Sequence, residues 1–266
     1  NNLSFDTALK QAQDLGFAEA DPTFDIEGVD AAHKITILAS IAFGIPINFD
    51  AVHVEGISNL SQKDISYAEE LGYKIKLLGI AKSQNADVEI RVHPTLVPKN
   101  RLVANVDGAM NAVLVHGNMV GPTLYYGAGA GAEPTASAVV ADLIDIARQT
   151  KLSQNTLIPS LGFMPDKINE KNILSIENIF SEYYLRFTMK NQAGLLAKIT
   201  NIFADHDISI NSMVHKEVQE NNQNPDIFLI TSKTKEADID IIISEIELLP
   251  ENTEKVVKIR TEELNK

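Results

Sequence analysis

Residues 12–34 read AQDLGFAEADPTFDIEGVDAAHK, and the fold of the first half is decided there. Glu19, Asp21, Asp25, Glu27 and Asp30 crowd into this stretch, followed by His33 and Lys34, with Gly16 and Gly28 as punctuation. Surface charge runs are usually only solvated. This one lies in a turn-prone segment marked by Asp21-Pro22, between two stretches of helical apolar periodicity. A short loop that gathers carboxylates beside a lysine can grip a zwitterion or hold the lysine ready for proton transfer.

Upstream, Ser4 is placed as an N-cap, and Phe5, Ala8, Leu9, Ala12 and Leu15 fall on one helical face before Gly16 ends the helix. Downstream, a loop runs to Gly28 and a second helix over residues 29–43 stops at Gly44 and Pro46. Ile35, Ile37, Leu38, Ile41 and Phe43 make that helix a core element, with Asp30 and Lys34 at its wet N-terminal end. The two are four residues apart, acid first, so they are neighbours in the better orientation. Taken alone, such a pair is most often an exposed ion pair of small worth.

Further along, residues 51–57 read as a strand, and Ser61 caps a third helix, with Asp64 three residues on and Gly72 at the end. Four short runs, 73–81, 87–92, 112–116 and 123–126, are joined by Asn/Asp/Gly turns and suggest one antiparallel sheet. Pro134 stands where the helix of residues 135–148 begins. Residues 151–180 form a polar connector with Pro159, Gly162 and Pro165. Beyond it the order is strand 184–189, helix 195–206, strand 208–217, strand 227–232, helix 237–248 and strand 256–260, a ferredoxin-like βαββαβ module.

Composition narrows the function. The chain has 266 residues, enough for two domains, with 44% apolar residues and a net charge of −13. That charge argues against nucleic acid and anionic membrane surfaces, both of which attract basic proteins. With no cysteine, disulfides, thiol chemistry and Cys-based metal sites are excluded. No apolar run reaches the roughly 20 residues a membrane helix takes, and the start, NNLSFDTALK, is not a signal peptide. A reducing, cytoplasmic setting is expected. His33 has no second histidine at helical spacing, so no metal is expected.

The acidic segment resembles the homoserine dehydrogenase family position by position, at Ala12, Gly16-Phe17-Ala18, Asp21-Pro22, Asp25-Ile26, Gly28, Asp30 and Lys34. The likeness continues through Glu55-Gly56-Ile57, through residues 72–77, and through residues 126–131 with Pro134-Thr135-Ala136. It implies that Lys34 is the proton donor/acceptor at a substrate hydroxyl and that Asp30 orients it. It also implies that Glu19 binds the ammonium group of L-homoserine, that the Gly16 backbone approaches the substrate, and that Asp25 is a second polar ligand or a support to the lysine. Asp21, Glu27 and His33 read instead as structural or solvated, Asp21 shaping the turn before Pro22.

Gly127, Gly129 and Gly131 lie between a strand and a helix N-terminus, where free N–H groups can meet phosphate. They do not form G-x-G-x-x-G, and tight chain packing explains them equally well. The resemblance places this loop near the dinucleotide, NAD or NADP. It also implies a nucleotide-binding domain upstream of Asn1, so the chain is expected to be a fragment and inactive by itself.

The stretch Asn191-Gln192-Ala193-Gly194-Leu195-Leu196 is similar to the ACT-domain pattern, with Asn191 where Asp is usual. The resemblance implies amino-acid binding between paired modules, at Gly194 and Asn211, with threonine as the effector and a homo-oligomer as the assembly. An RNA-binding module of the same strand order needs a basic face, whereas acidic residues outnumber basic ones over residues 181–266. Pure dimerisation is the remaining reading of this module.

The fold class expected is α+β: a mixed helix/antiparallel-sheet catalytic domain (1–150), a connector (151–180), and a ferredoxin-like ACT domain (181–266). The function expected is the reversible NAD(P)-dependent interconversion of L-homoserine and L-aspartate 4-semialdehyde, with amino-acid feedback. The alternative is a non-catalytic amino-acid-binding or oligomerisation fragment.

Overall fold

The computed structural model describes residues 5–14, 20–84, 87–150, 159, 161–216 and 224–264. The helices form close to where periodicity places them: α1 (Phe5–Asp14), α3 (Val29–Phe43), α4 (Gln62–Glu70), α5 (Ala132–Gln149), α6 (Leu195–Asp205) and α7 (Glu236–Glu247). Ser4, Leu15 and Gly16, expected to bound the first helix, lie outside the described residues. One added turn, α2 (Thr23–Ile26), interrupts the acidic loop. Asp21 starts it by accepting from the Thr23 hydroxyl at 2.6 Å and the Thr23 N–H at 3.2 Å. These bonds hold the Asp21 carboxyl below its usual range.

Helix α3 runs between two left-handed glycines, Gly28 (φ +78°) and Gly44 (φ +63°). Its buried face is made of small residues, Ala32, Thr36, Ala39 and Ser40. Close approach explains that choice, because a Cβ on Gly79 of the underlying strand would stand 3.1 Å from Ile35 Cβ. The expectation that α3 is buried as a core helix is corrected on its other side. Ile37, Leu38 and Ile41 are 47%, 40% and 46% exposed, because the small residues take the sheet-facing positions.

Strand β1 is only His53–Val54, shorter than expected, because the chain leaves the sheet at Glu55-Gly56. Strands β2 (Tyr73–Gln84) and β3 (Asp87–Pro98) make a long hairpin, in register from Tyr73↔Pro98 to Gln84↔Asp87. Strands β4 (Met110–Gly117) and β5 (Gly121–Ala128) form a separate two-stranded sheet. The four runs therefore make two hairpins, not one sheet, because the outer edge of β3 is already occupied. Ile173 bridges Val88, β1 pairs with Arg91 and Val92, and β11 (Val257–Thr261) pairs with Thr95 and Leu96, all three parallel.

Through β11 the sheet continues into the C-terminal module, and β1, β2 and β3 share one seven-stranded sheet with β7 (Tyr183–Thr188), β8 (Ile210–Lys216), β9 (Asp226–Thr231) and β11. Within the module the order β11-β7-β9-β8 is wholly antiparallel, the 4-1-3-2 arrangement of a βαββαβ fold. Its strands alternate, and each face has its own cover. Tyr183, Leu185 and Phe187 pack under α6 and α7 with Ile199, Phe203 and Ile239. Tyr184, Phe228, Ile230 and Ile259 face α4, where Tyr67 stacks on Phe228 at 4.4 Å. The short strands β6 (Phe180–Ser181) and β10 (Thr234–Lys235) pair where the connector enters. Among the described residues no helix is long and apolar enough to cross a membrane.

Candidate functional site

The first two turns of α3 carry two of the candidate residues, Asp30 and Lys34. Lys34 Nζ donates to Asp30 Oδ2 at 2.5 Å, one helical turn away, as the spacing requires. Lys34 is 63% exposed and Asp30 38%, so the pair opens to solvent from a helix whose opposite face is fixed to the sheet. Asp25 is exposed on α2, one turn before Gly28. Gly16 and Glu19 lie outside the described residues. The His33 ring meets Phe49 at 4.3 Å and Phe24 at 5.4 Å, both edge-on, a packing contact.

The turn before α3 is held from outside. A Cβ on Gly56 would come within 2.5 Å of Ile26 O and 2.6 Å of Glu27 Cα, so only glycine fits this approach. Ile57 N donates to Ile26 O at 2.8 Å, and Ser58 Oγ donates to Glu27 Oε1. The Glu55-Gly56-Ile57 motif is thus a cradle for the turn that starts α3.

Sequence reasoning missed what stands behind this cradle. Glu55 accepts two bonds from Arg260 of β11, each at 2.9 Å, and contacts His53 Nε2 at 2.6 Å. Burial pushes the Glu55 carboxyl up, but the bonds from His53 and Arg260 outweigh it and hold it well below the usual carboxylate range. Arg260 is 1% exposed and also bonds Glu236, the first residue of α7, at 2.6 Å through Nε. His93 lies beside it, fully buried; burial first, then the Arg260 and Arg91 guanidiniums, push its imidazole well below the ordinary value. A signal was present: Glu89, Arg91 and His93 alternate with Val88, Ile90 and Val92 along β3. Period two marks one polar face, but not that this face is buried.

The glycine loop lies between β5 and α5, as expected, and its three glycines differ in their surroundings. Gly127 has open space where a Cβ would go, but at Gly129 a Cβ would overlap the side chain of Asn111 in β4. Gly129 therefore serves the hairpin. Gly131 (φ +131°) precedes α5, whose first turn holds Glu133, an anion, and Pro134, which has no N–H. Among the described residues, no group of three His, Cys, Asp or Glu side chains could hold a metal ion.

In the C-terminal module, Gly194 (φ +84°) is the left-handed residue that begins α6. Asn211 follows the other end of that helix, and its Nδ2 donates to Thr231 O at 3.1 Å. An eleven-residue helix spans about 16 Å, so one copy of the chain does not bring Gly194 and Asn211 together.

Comparison with known proteins matches these halves separately. The family model described as homoserine dehydrogenase matches residues 1–144, and the ACT-domain model matches residues 183–251. The homoserine dehydrogenase of Pseudomonas aeruginosa is 50% identical over 262 residues, 98% of this chain and 60% of that protein. A crystal structure of a homoserine dehydrogenase from Thiobacillus denitrificans has a TM-score of 0.92 at 55% identity, covering 100% of this chain and 60% of that one. The Staphylococcus aureus homoserine dehydrogenase structure at pH 7.0 gives 0.72 at 31% identity, over 98% and 60%. The chain spans about 60% of the length of these relatives.

Proposed function

The chain belongs to the homoserine dehydrogenase family and carries an ACT domain, and from that premise we propose that it is the substrate-binding and regulatory part of a homoserine dehydrogenase. The observation that carries this reading is the Asp30–Lys34 contact at 2.5 Å, presented to solvent at the start of a helix anchored to the sheet.

Oxidation of homoserine to its semialdehyde removes a hydride from the hydroxyl-bearing carbon and a proton from the hydroxyl. Lys34 takes that proton, and returns it in the reverse direction. Asp30 holds the Lys34 side chain toward the loop side of the helix. Glu19 binds the substrate ammonium, with the Gly16 backbone and Asp25 completing the polar contacts. The hydride chemistry belongs to NAD or NADP. We place its phosphates near the loop of Gly127, Gly129 and Gly131, between β5 and the start of α5, where Gly127 leaves open space. The ACT module binds an amino-acid effector, threonine, with Gly194 and Asn211 contributed by two copies in a homo-oligomer. The helix that separates these residues within one copy supports that pairing.

The test is homoserine-dependent reduction of NAD⁺ and NADP⁺ by the purified full-length protein. Turnover with L-homoserine is expected. Binding of homoserine or threonine without any turnover would favour a regulatory binding protein instead.

A further inference from the structure

The side chain of Arg260 is among the largest fully buried ones, and its bonds reach both halves. It lies between Glu55, from the half that holds α3, and Glu236, from the C-terminal module. A buried guanidinium with a carboxylate on each side is fixed in orientation by its planar fork. What it fixes in turn is Glu55, whose N–H also donates to Val92 O at 2.8 Å. The next three residues grip the turn before α3: Gly56 by close approach, Ile57 through Ile26 O, and Ser58 through Glu27. Asp30 is three residues beyond Glu27, and Lys34 one turn further. The links from Arg260 to the turn are direct contacts, and Asp30 follows that turn along the backbone.

We propose that Arg260 is a positioning residue for the Asp30–Lys34 site: the last strand of the ACT module sets the start of α3 through Glu55, with no effector required. The proposal rests on the reading of Lys34 and Asp30 given above. It extends that reading by assigning a role in the reaction to a side chain of the regulatory half. The carboxylate of Glu55 does not touch substrate in this account; it transmits placement. Small displacements of reacting groups are costly to rate, so a cradle held from two sides has a function that packing alone would not require.

The experiment compares Glu55→Gln, Arg260→Lys, Arg260→Met and Glu236→Gln in the full-length protein, measuring kcat and KM for homoserine together with thermal stability. Glu55→Gln and Arg260→Lys are expected to lower kcat/KM about tenfold, a modest misplacement on the scale of such effects. The Glu55→Gln/Arg260→Lys double variant should be no worse than either single one, since both cut the same link. Glu236→Gln disturbs the same buried cluster but leaves both Arg260–Glu55 bonds in place, so it should lower the melting temperature comparably while changing kcat/KM less than about twofold. A merely structural cluster would move activity and stability together in all variants. The proposal is overturned if Glu55→Gln stays within about twofold of wild type, or if Glu236→Gln loses as much activity as Glu55→Gln. Should Arg260→Met fail to fold, Glu55→Gln still decides. Lys34→Ala, assayed alongside, separates the two claims. A harmless Lys34→Ala would overturn the catalytic reading and, with it, the positioning proposal that rests on it. A damaging Lys34→Ala with a harmless Glu55→Gln would overturn the positioning link alone.

Discussion

Single side chains carry the pH dependence expected of this protein. Glu236 is buried; burial raises its carboxyl, but Arg260 and Lys258 outweigh that and leave it lowered from 4.5. A carboxyl lowered in the folded state stabilises the fold above its unfolded value and loses that contribution as pH falls below it. His93 is lowered from 6.5, mainly by burial. Its neutral form is the folded one, so its contribution holds above 6.5 and declines below, as the unfolded chain takes up the proton first. Two limbs are therefore expected in thermal melts between about pH 3 and pH 7, one starting below the histidine value and one below the carboxylate value. His93→Gln should flatten the first limb, and Glu236→Gln and Glu55→Gln should each weaken the second. A melting temperature independent of pH over this range would contradict both assignments.

At the scale of elements, α4 docks on the C-terminal sheet through a buried charge. Asp64 is fully buried and accepts from Arg186 Nε at 2.6 Å and from the Tyr184 hydroxyl at 3.1 Å. Asp226, also fully buried, takes bonds from Tyr67 and Lys63 of the same helix at 2.9 and 3.3 Å. Removing one partner of a buried pair strands the other, so Arg186→Met should cost about 3–5 kcal/mol in denaturant unfolding. A loss below about 1 kcal/mol would mean that the pair is solvated in practice. The close approach of Gly56 gives a second element-scale test. Gly56→Ala forces a Cβ onto the Ile26 carbonyl oxygen and the Glu27 backbone, and overpacking of this kind costs about 1–3 kcal/mol. Homoserine turnover should fall as well, and unchanged kinetics and stability would show that the turn can shift freely.

Elements were also where the sequence spoke most clearly. Ser61, with Asp64 three residues on, marks the start of α4 in the chain, and Ser61 Oγ does accept from Asp64 N at 3.2 Å. Gly28 and Gly44 bracket α3 in the chain and in space. Local chemistry of this sort is visible in a window of a few residues. The pairing of β3 with β11 is not, because it joins segments far apart in the chain and depends on which edge stays open after β1 is placed. For the same reason the clamp of Glu55, Arg260 and Glu236 was hidden, although each residue could be read individually. The candidate site was half legible. The helical spacing of Asp30 and Lys34 predicts their contact, whereas the cradle around Ile26 and Glu27 needs the fold.

Taken as a whole, the chain is two families' worth of structure on one continuous sheet. Threonine is expected to inhibit the full-length enzyme, and Gly194→Asp to abolish that inhibition, because it strains a left-handed residue and sets a negative charge at the start of α6. Inhibition that survives in the variant would leave the module a dimerisation unit. The central claim, however, concerns Lys34. It is tested most directly by steady-state homoserine oxidation with the full-length protein and its Lys34→Ala variant. A fall in kcat of about 10²–10⁴ is the result this account predicts, the usual loss when a general acid–base group is removed. A fall of less than about threefold, well short of that range, would contradict it and remove Lys34 from the reaction.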